Sequence, residues 1–206
     1  MTHTPAFDVL ASLYWLLLVL AIVGSLVLAA LAFKLKKQVF AIASAGGLAF
    51  ALLVAAAPAP AGPASYGSLL GVLALALAVI GGAPIATLAL TLSTRNSVAP
   101  GAHGGILVDR AAGMVAADAA AFASPGTAMH EVLRGGLAIG LLERFAVAGA
   151  ILAGFPEAIA VVVAIKGVGR FTELAAAEAR ERFIIGTLAS LIWACTCAAL
   201  VPLAVV

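Results

Sequence analysis

Charge is what this 206-residue chain has least of: 10% of its residues are charged, against 65% hydrophobic. Soluble domains carry about 25% charged and roughly 45–50% apolar residues. A water-soluble fold with the balance found here would expose large apolar patches and aggregate. The excess apolar surface therefore has to face lipid, in keeping with a mean hydropathy of +1.22. Aromatic residues are also few, at 6%, while glycine fills 21 positions, a composition that favours close helix approach over a bulky core. The net charge of +2 is too small to point to a nucleic acid. Cysteine is limited to Cys195 and Cys197. Two apart on one helix, they point to different faces and predict neither a disulfide nor a metal clamp. Residues 1–8 contain no Lys or Arg, and the apolar run after them is too long for a signal-peptide core, which predicts a retained transmembrane helix.

What is there is a series of apolar runs. Crossing about 30 Å of hydrocarbon takes about 20 helical residues, and six stretches are read as spans: 9–33, 39–57, 68–92, 135–154, 156–170 and 183–206. The fold expected is an all-α, single-domain bundle of six transmembrane helices. Pro156 suits the first turn of the fifth, where its missing N–H is not needed. Gly81-Gly82-Ala83-Pro84 predicts a kink in the third. The basic residues fall on alternate connections: Lys34, Lys36 and Lys37, then Arg95, Arg110 and Arg134, then Lys166, Arg170, Arg180 and Arg182. By the positive-inside rule these connections are cytoplasmic and both termini lie outside. Tyr14, Trp15 and Tyr66, near outer ends, suit an aromatic belt.

The long connection, 93–134, belongs to the cytoplasmic side. Within it 106–123 is Ala-rich, with Asp109, Arg110 and Asp118 as its only charges, and reads as an interfacial helix.

The most unusual stretch is GGLAIGLLER, residues 135–144. Gly136 and Gly140 form a GxxxG pair that lets a second helix approach closely, and Arg144 continues the same ridge. Intramembrane charges cost about 2.5–3.5 kcal/mol each on insertion scales and need partners. Counted from Phe155 as a hairpin tip, Glu143 lies twelve residues back and Lys166 eleven forward. At about 1.5 Å per residue the two reach one depth. Arg170 shares the face of Lys166, and Glu173 follows three residues later. Glu143, Arg144, Lys166, Arg170 and Glu173 are therefore the candidate charge network, either a structural ion-pair cluster or a transport site. Arg144 points about 100° away from its neighbour Glu143. It is expected between helices, bonded to carbonyls near the 81–84 break, where proline leaves one unpaired.

The same region carries a resemblance. G-x-x-x-G-x-L-E-R, A-x-x-A-I-K-x-x-x-R-F and E-R-F-I-I-G-T-L-x-S, spread over 135–190, resemble the C-terminal membrane region of an uncharacterised bacterial and phage membrane protein family. The resemblance implies a membrane unit containing Glu143, Arg144, Lys166, Arg170, Phe171, Gly186 and Thr187 in a bacterial inner or plasma membrane. It supplies no activity, and it does not extend to residues 1–134.

Other chemistry has little support. His3, His103 and His130 lack ligand spacing, so no metal is expected. The GAHGG of 101–105 lacks the context of a nucleotide loop, and no cofactor is expected. Serines and threonines lack a nearby base, which argues against an enzyme. Two functions stay open. One is a scaffold or accessory subunit assembling with itself or another membrane protein through small-residue faces, Gly136, Gly140 and Gly186 among them and 43–47 as a second. The other is a small transporter or channel that uses the Glu143 and Lys166 charges.

Overall fold

A computed structural model describes residues 5–58, 64–93, 106–108, 130–132, 136–169 and 177–205. The described elements are helices α1 (Pro5–Leu35), α2 (Gln38–Ala55) and α3 (Ala64–Ser93), strands β1 (Ile106–Val108) and β2 (His130–Val132), then helices α4 (Gly136–Leu152), α5 (Ala158–Gly169) and α6 (Ala177–Val205). Long unbroken runs of Leu, Ala and Val make helix the only way to satisfy every backbone group in lipid.

Among the described residues four helices are long and apolar enough to cross a membrane: Val9–Leu35, Gln38–Ala55, Tyr66–Ser93 and Arg180–Val205. This corrects the expectation of six. The 17 residues of α4 and 12 of α5 reach only about 25 and 18 Å at about 1.5 Å per residue, short of about 30 Å of hydrocarbon. A helix pair that dips into the membrane and returns would leave every basic connection on the same side as two full crossings. The charge pattern is blind to the difference.

A second correction concerns the long connection. Ile106, Leu107 and Val108 form an extended strand antiparallel to β2, with Ile106 opposite Val132 and Val108 opposite His130. The start of the expected interfacial helix is thus strand, which β-branched Ile and Val favour. The remainder, 109–123, lies outside the described residues, and so do Arg170 and Glu173 of the expected charge network.

The turns have local causes. Between α1 and α2 the chain reverses at Lys36, whose φ of 53° is left-handed and whose N–H donates to the Ala32 carbonyl at 2.9 Å. Between α4 and α5, Gly154 takes φ 75°. Its N–H donates to the Ile151 carbonyl at 3.0 Å and that of Phe155 to the Ala150 carbonyl at 2.8 Å. This paired closure of a helix end needs a residue without a Cβ penalty in the left-handed region.

α3 packs along α6 and α1, α2 lies mainly on α1, and α4 wedges against both α3 and α6. Leu18, Ile22, Leu70, Leu77, Val147, Cys197 and Leu200 are fully buried at these seams. Large apolar side chains such as Leu10, Leu53, Val72, Leu142 and Ile192 point outward, as a lipid-facing surface requires. Trp15 departs from the aromatic-belt expectation. It is buried in the core, stacked on Tyr66 with ring centroids 5.3 Å apart and edge-on to Tyr14. Cys195 and Cys197 are both free thiols.

Candidate functional site

α3 is one continuous helix through Pro84. The glycines of 81–84 make a notch in it. A Cβ on Gly81 would lie 2.6 Å from the Trp193 ring, and one on Gly82 would lie 2.1 Å from Cδ of Arg144. Two adjacent glycines thus seat one large side chain from α6 and one from α4 directly on the α3 backbone. Trp193 Nε1 donates to the Leu77 carbonyl at 3.0 Å. Arg144 Nε donates to the Val79 carbonyl at 2.9 Å. That acceptor lies one residue before Ile80, the carbonyl that Pro84 deprives of its helical donor. Proximity through Gly82, not an orphaned carbonyl, selects it.

Arg144 is 3% exposed, and its Nη1 donates to the Ser190 hydroxyl on α6 at 3.1 Å. Gly140, one turn back, is buried beside the guanidinium: a Cβ there would meet Nη1 at 3.1 Å. The third nitrogen, Nη2, is buried with no hydrogen-bond partner among the described residues. A spare donor on a buried cation is expensive in stability unless a ligand or water uses it.

Glu143 points to another face, as helical geometry demands. Its Oε2 accepts from Lys166 Nζ on α5, and the Lys166 ammonium also lies over the Phe183 ring, 5.5 Å from its centroid. The structure therefore brings Glu143 and Lys166 together and separates both from the Arg144–Val79–Ser190 set. Glu143 Oε1 is buried without a partner among the described residues.

A cavity of about 250 Å³ lies between α3, α4 and α6. Arg144, Ser190 and Thr187 are at its deep end, with Lys166 on one side. Leu90, Leu137, Ile139 and Phe183 form apolar walls, and Gly136 and Arg182 lie at the end where α4 and α6 begin. Arg144 stands eight residues into α4, a depth of about 12 Å, so the cavity leads from the basic end of the bundle toward the middle. Gly186 lines it too, with Leu90 in ordinary contact at 3.6 Å from where its Cβ would be. Sequence reasoning missed Thr187, Ser190 and Arg182 as cavity residues and Trp193 as the occupant of Gly81. The signal available for Ser190 was its place one turn beyond Gly186, on a ridge of small side chains.

Among the described residues four helices are long and apolar enough to cross a membrane, and two of them, α3 and α6, line the cavity together with α4; the chain is a polytopic helical membrane protein. Compared with known protein families, curated proteins and solved structures, the chain matches none.

Proposed function

We propose that this protein binds a small solute within the membrane and passes it across, as a small transporter or channel. The observation that carries the reading is Arg144: nine-tenths and more buried, one guanidinium nitrogen unpartnered among the described residues, lining a cavity of about 250 Å³. Intramembrane charges mark solute pathways when they face a cavity, and ligand sites lie between helices with a few polar groups set in apolar walls. Glu143 serves as the fixed counter-charge that keeps Lys166 at the cavity side. The setting for this reading is a bacterial inner or plasma membrane, with the basic end toward the cytoplasm.

Two of the small residues that would serve a scaffold are occupied within the chain. Gly140 is buried against Arg144, and Gly47 is packed on Ser25 of α1, where a Cβ would lie 3.1 Å from the serine Cβ. This favours the solute reading over assembly through those positions.

The test is uptake into liposomes carrying purified protein, with lactate, glycerol and choline as anionic, neutral and cationic probes. Saturable entry of at least one probe above protein-free vesicles is expected. Ala86→Leu, which fills the cavity from α3, is expected to abolish it. No uptake of any probe, together with a stable oligomer or a co-purifying partner, would return the scaffold reading.

A further inference from the structure

We infer that the solute is a monoanion, a carboxylate on a short apolar stem, bound with its carboxylate on Arg144 Nη2. The inference rests on the solute-binding reading and adds the chemical class of the ligand.

Charge balance is the first support. Of the ionised groups at mid-depth, Arg144 and Lys166 are cationic and Glu143 is anionic, which leaves a formal charge of +1. Glu143 hydrogen-bonds Lys166 and reaches Arg144 only through space, so the guanidinium is the member without a directly bonded counter-charge. A buried charge without a counter-charge is strongly destabilising, and one negative charge restores neutrality where two would overshoot. Arg182, at the cavity end near the start of α6, is half-buried and has an interaction of its own, so it is left out of the balance.

Donor geometry is the second. Nε of Arg144 donates to the Val79 carbonyl and one Nη1 hydrogen goes to the Ser190 hydroxyl, which leaves the two hydrogens of Nη2 and the second of Nη1. The Ser190 and Thr187 hydroxyls line the same cavity. A planar carboxylate can take two parallel N–H donors from a guanidinium edge of this kind. The Thr87 hydroxyl also lines the cavity, but its proton goes to the Ala83 carbonyl at 2.9 Å.

Wall chemistry is the third. The apolar lining is Ala83, Ala86, Leu90, Leu137, Ile139 and Phe183, with Lys166 on one side and Arg182 where α6 begins. The apolar residues suit methylene groups. A cavity of about 250 Å³ is the share of about eight waters at ~30 Å³ each, room for a carboxylate and a few carbons.

The experiment is calorimetric titration of the full chain in nanodiscs of neutral phosphatidylcholine, with hexanoate, inorganic phosphate and hexylamine at one pH. Hexanoate is expected to bind saturably with one site per chain. Phosphate is expected to bind at least tenfold more weakly, and hexylamine not at all. Thr187→Val removes a floor hydroxyl at constant shape and is expected to weaken hexanoate about tenfold, with unfolding temperature unchanged. A parallel arm places oleate in the nanodisc. If oleate displaces hexanoate, the carboxylate comes from the bilayer; if it does not, it comes from water, and both results keep the class. Phosphate binding as tightly as hexanoate, or hexanoate binding untouched by both Thr187→Val and Ala86→Leu, overturns the inference. Uptake of glycerol or choline without hexanoate binding overturns it and leaves the solute reading standing. Absence of all binding and uptake overturns both.

Discussion

The α1–α2 and α4–α5 hairpins have the same outline, two apolar helices joined by a tight left-handed turn, but their polar contents differ in kind. In the first, Ser25 and Ser44 clasp each other. The Ser25 hydroxyl donates to the Ser44 carbonyl at 2.8 Å, and the Ser44 hydroxyl to the Ser25 carbonyl at 2.9 Å. Both serines are 1% exposed, and each is satisfied by the other. In the second, Glu143 and Arg144 are also buried, yet each keeps one polar atom without a partner among the described residues. A closed polar contact positions two helices and does nothing more. An open one, beside a cavity, has capacity left for something outside the chain. Tyr14 Oη and Trp15 Nε1 on α1 are also buried without partners among the described residues, but they lie away from this cavity, so it is the cavity beside Arg144 that marks the second hairpin as the candidate site.

The largest expected effect comes from breaking the charged hairpin. Glu143→Gln or Lys166→Met alone leaves its partner charged and buried, a loss of about 3–5 kcal/mol, read as a collapse of monodisperse protein on size-exclusion chromatography. The double variant is expected to recover most of that stability and none of the uptake. Recovery of both would make the pair purely structural and remove it from the site.

Next are the glycine sockets. Gly82→Ala drives a methyl into Arg144 and Gly81→Ala drives one into Trp193, at 2.1 and 2.6 Å respectively. Overpacking of this kind costs about 1–3 kcal/mol, to be read as a drop in thermal midpoint in detergent. Gly82→Ala should also lower solute binding, because Arg144 has to move, whereas Gly81→Ala should leave binding largely intact.

These two positions also show where the sequence stops being informative. Helices α1, α2, α3 and α6 are legible because each is a long apolar run. The depth match of Glu143 with Lys166 is legible too, since both are counted from one turn. The span number was not, because an in-and-out helix pair leaves the charge pattern unchanged. Nor was the Gly81–Gly82 notch, because which side chain faces a glycine is set by the neighbouring helices and not by its own sequence. The partners of Arg144 required the register of α4 against α3 and α6, which no periodicity in one helix encodes.

A smaller effect is expected in the satisfied hairpin. Ser25→Ala with Ser44→Ala removes both donors together, and interhelical hydrogen bonds in membranes average about 0.6 kcal/mol. The pair should therefore shift the thermal midpoint only slightly and leave uptake untouched. The smallest is at Gly24 and Gly46, where an added Cβ would meet nothing within 4 Å. Alanine at either should stay within about 0.5 kcal/mol of the parent.

The central claim, an electropositive cavity reached from the basic end, is tested most directly by thiol labelling. Thr187→Cys, in a background with Cys195 and Cys197 both replaced by alanine, would be treated with membrane-impermeant methanethiosulfonates of opposite charge, sulfonatoethyl and trimethylammonioethyl. The reagents would be added separately to each face of sealed vesicles, with rates normalised to those for a free thiol in water. The account predicts modification from the basic face only, with the anionic reagent at least several-fold faster after normalisation. Equal rates, a faster cationic reagent, or no modification from that face would contradict it.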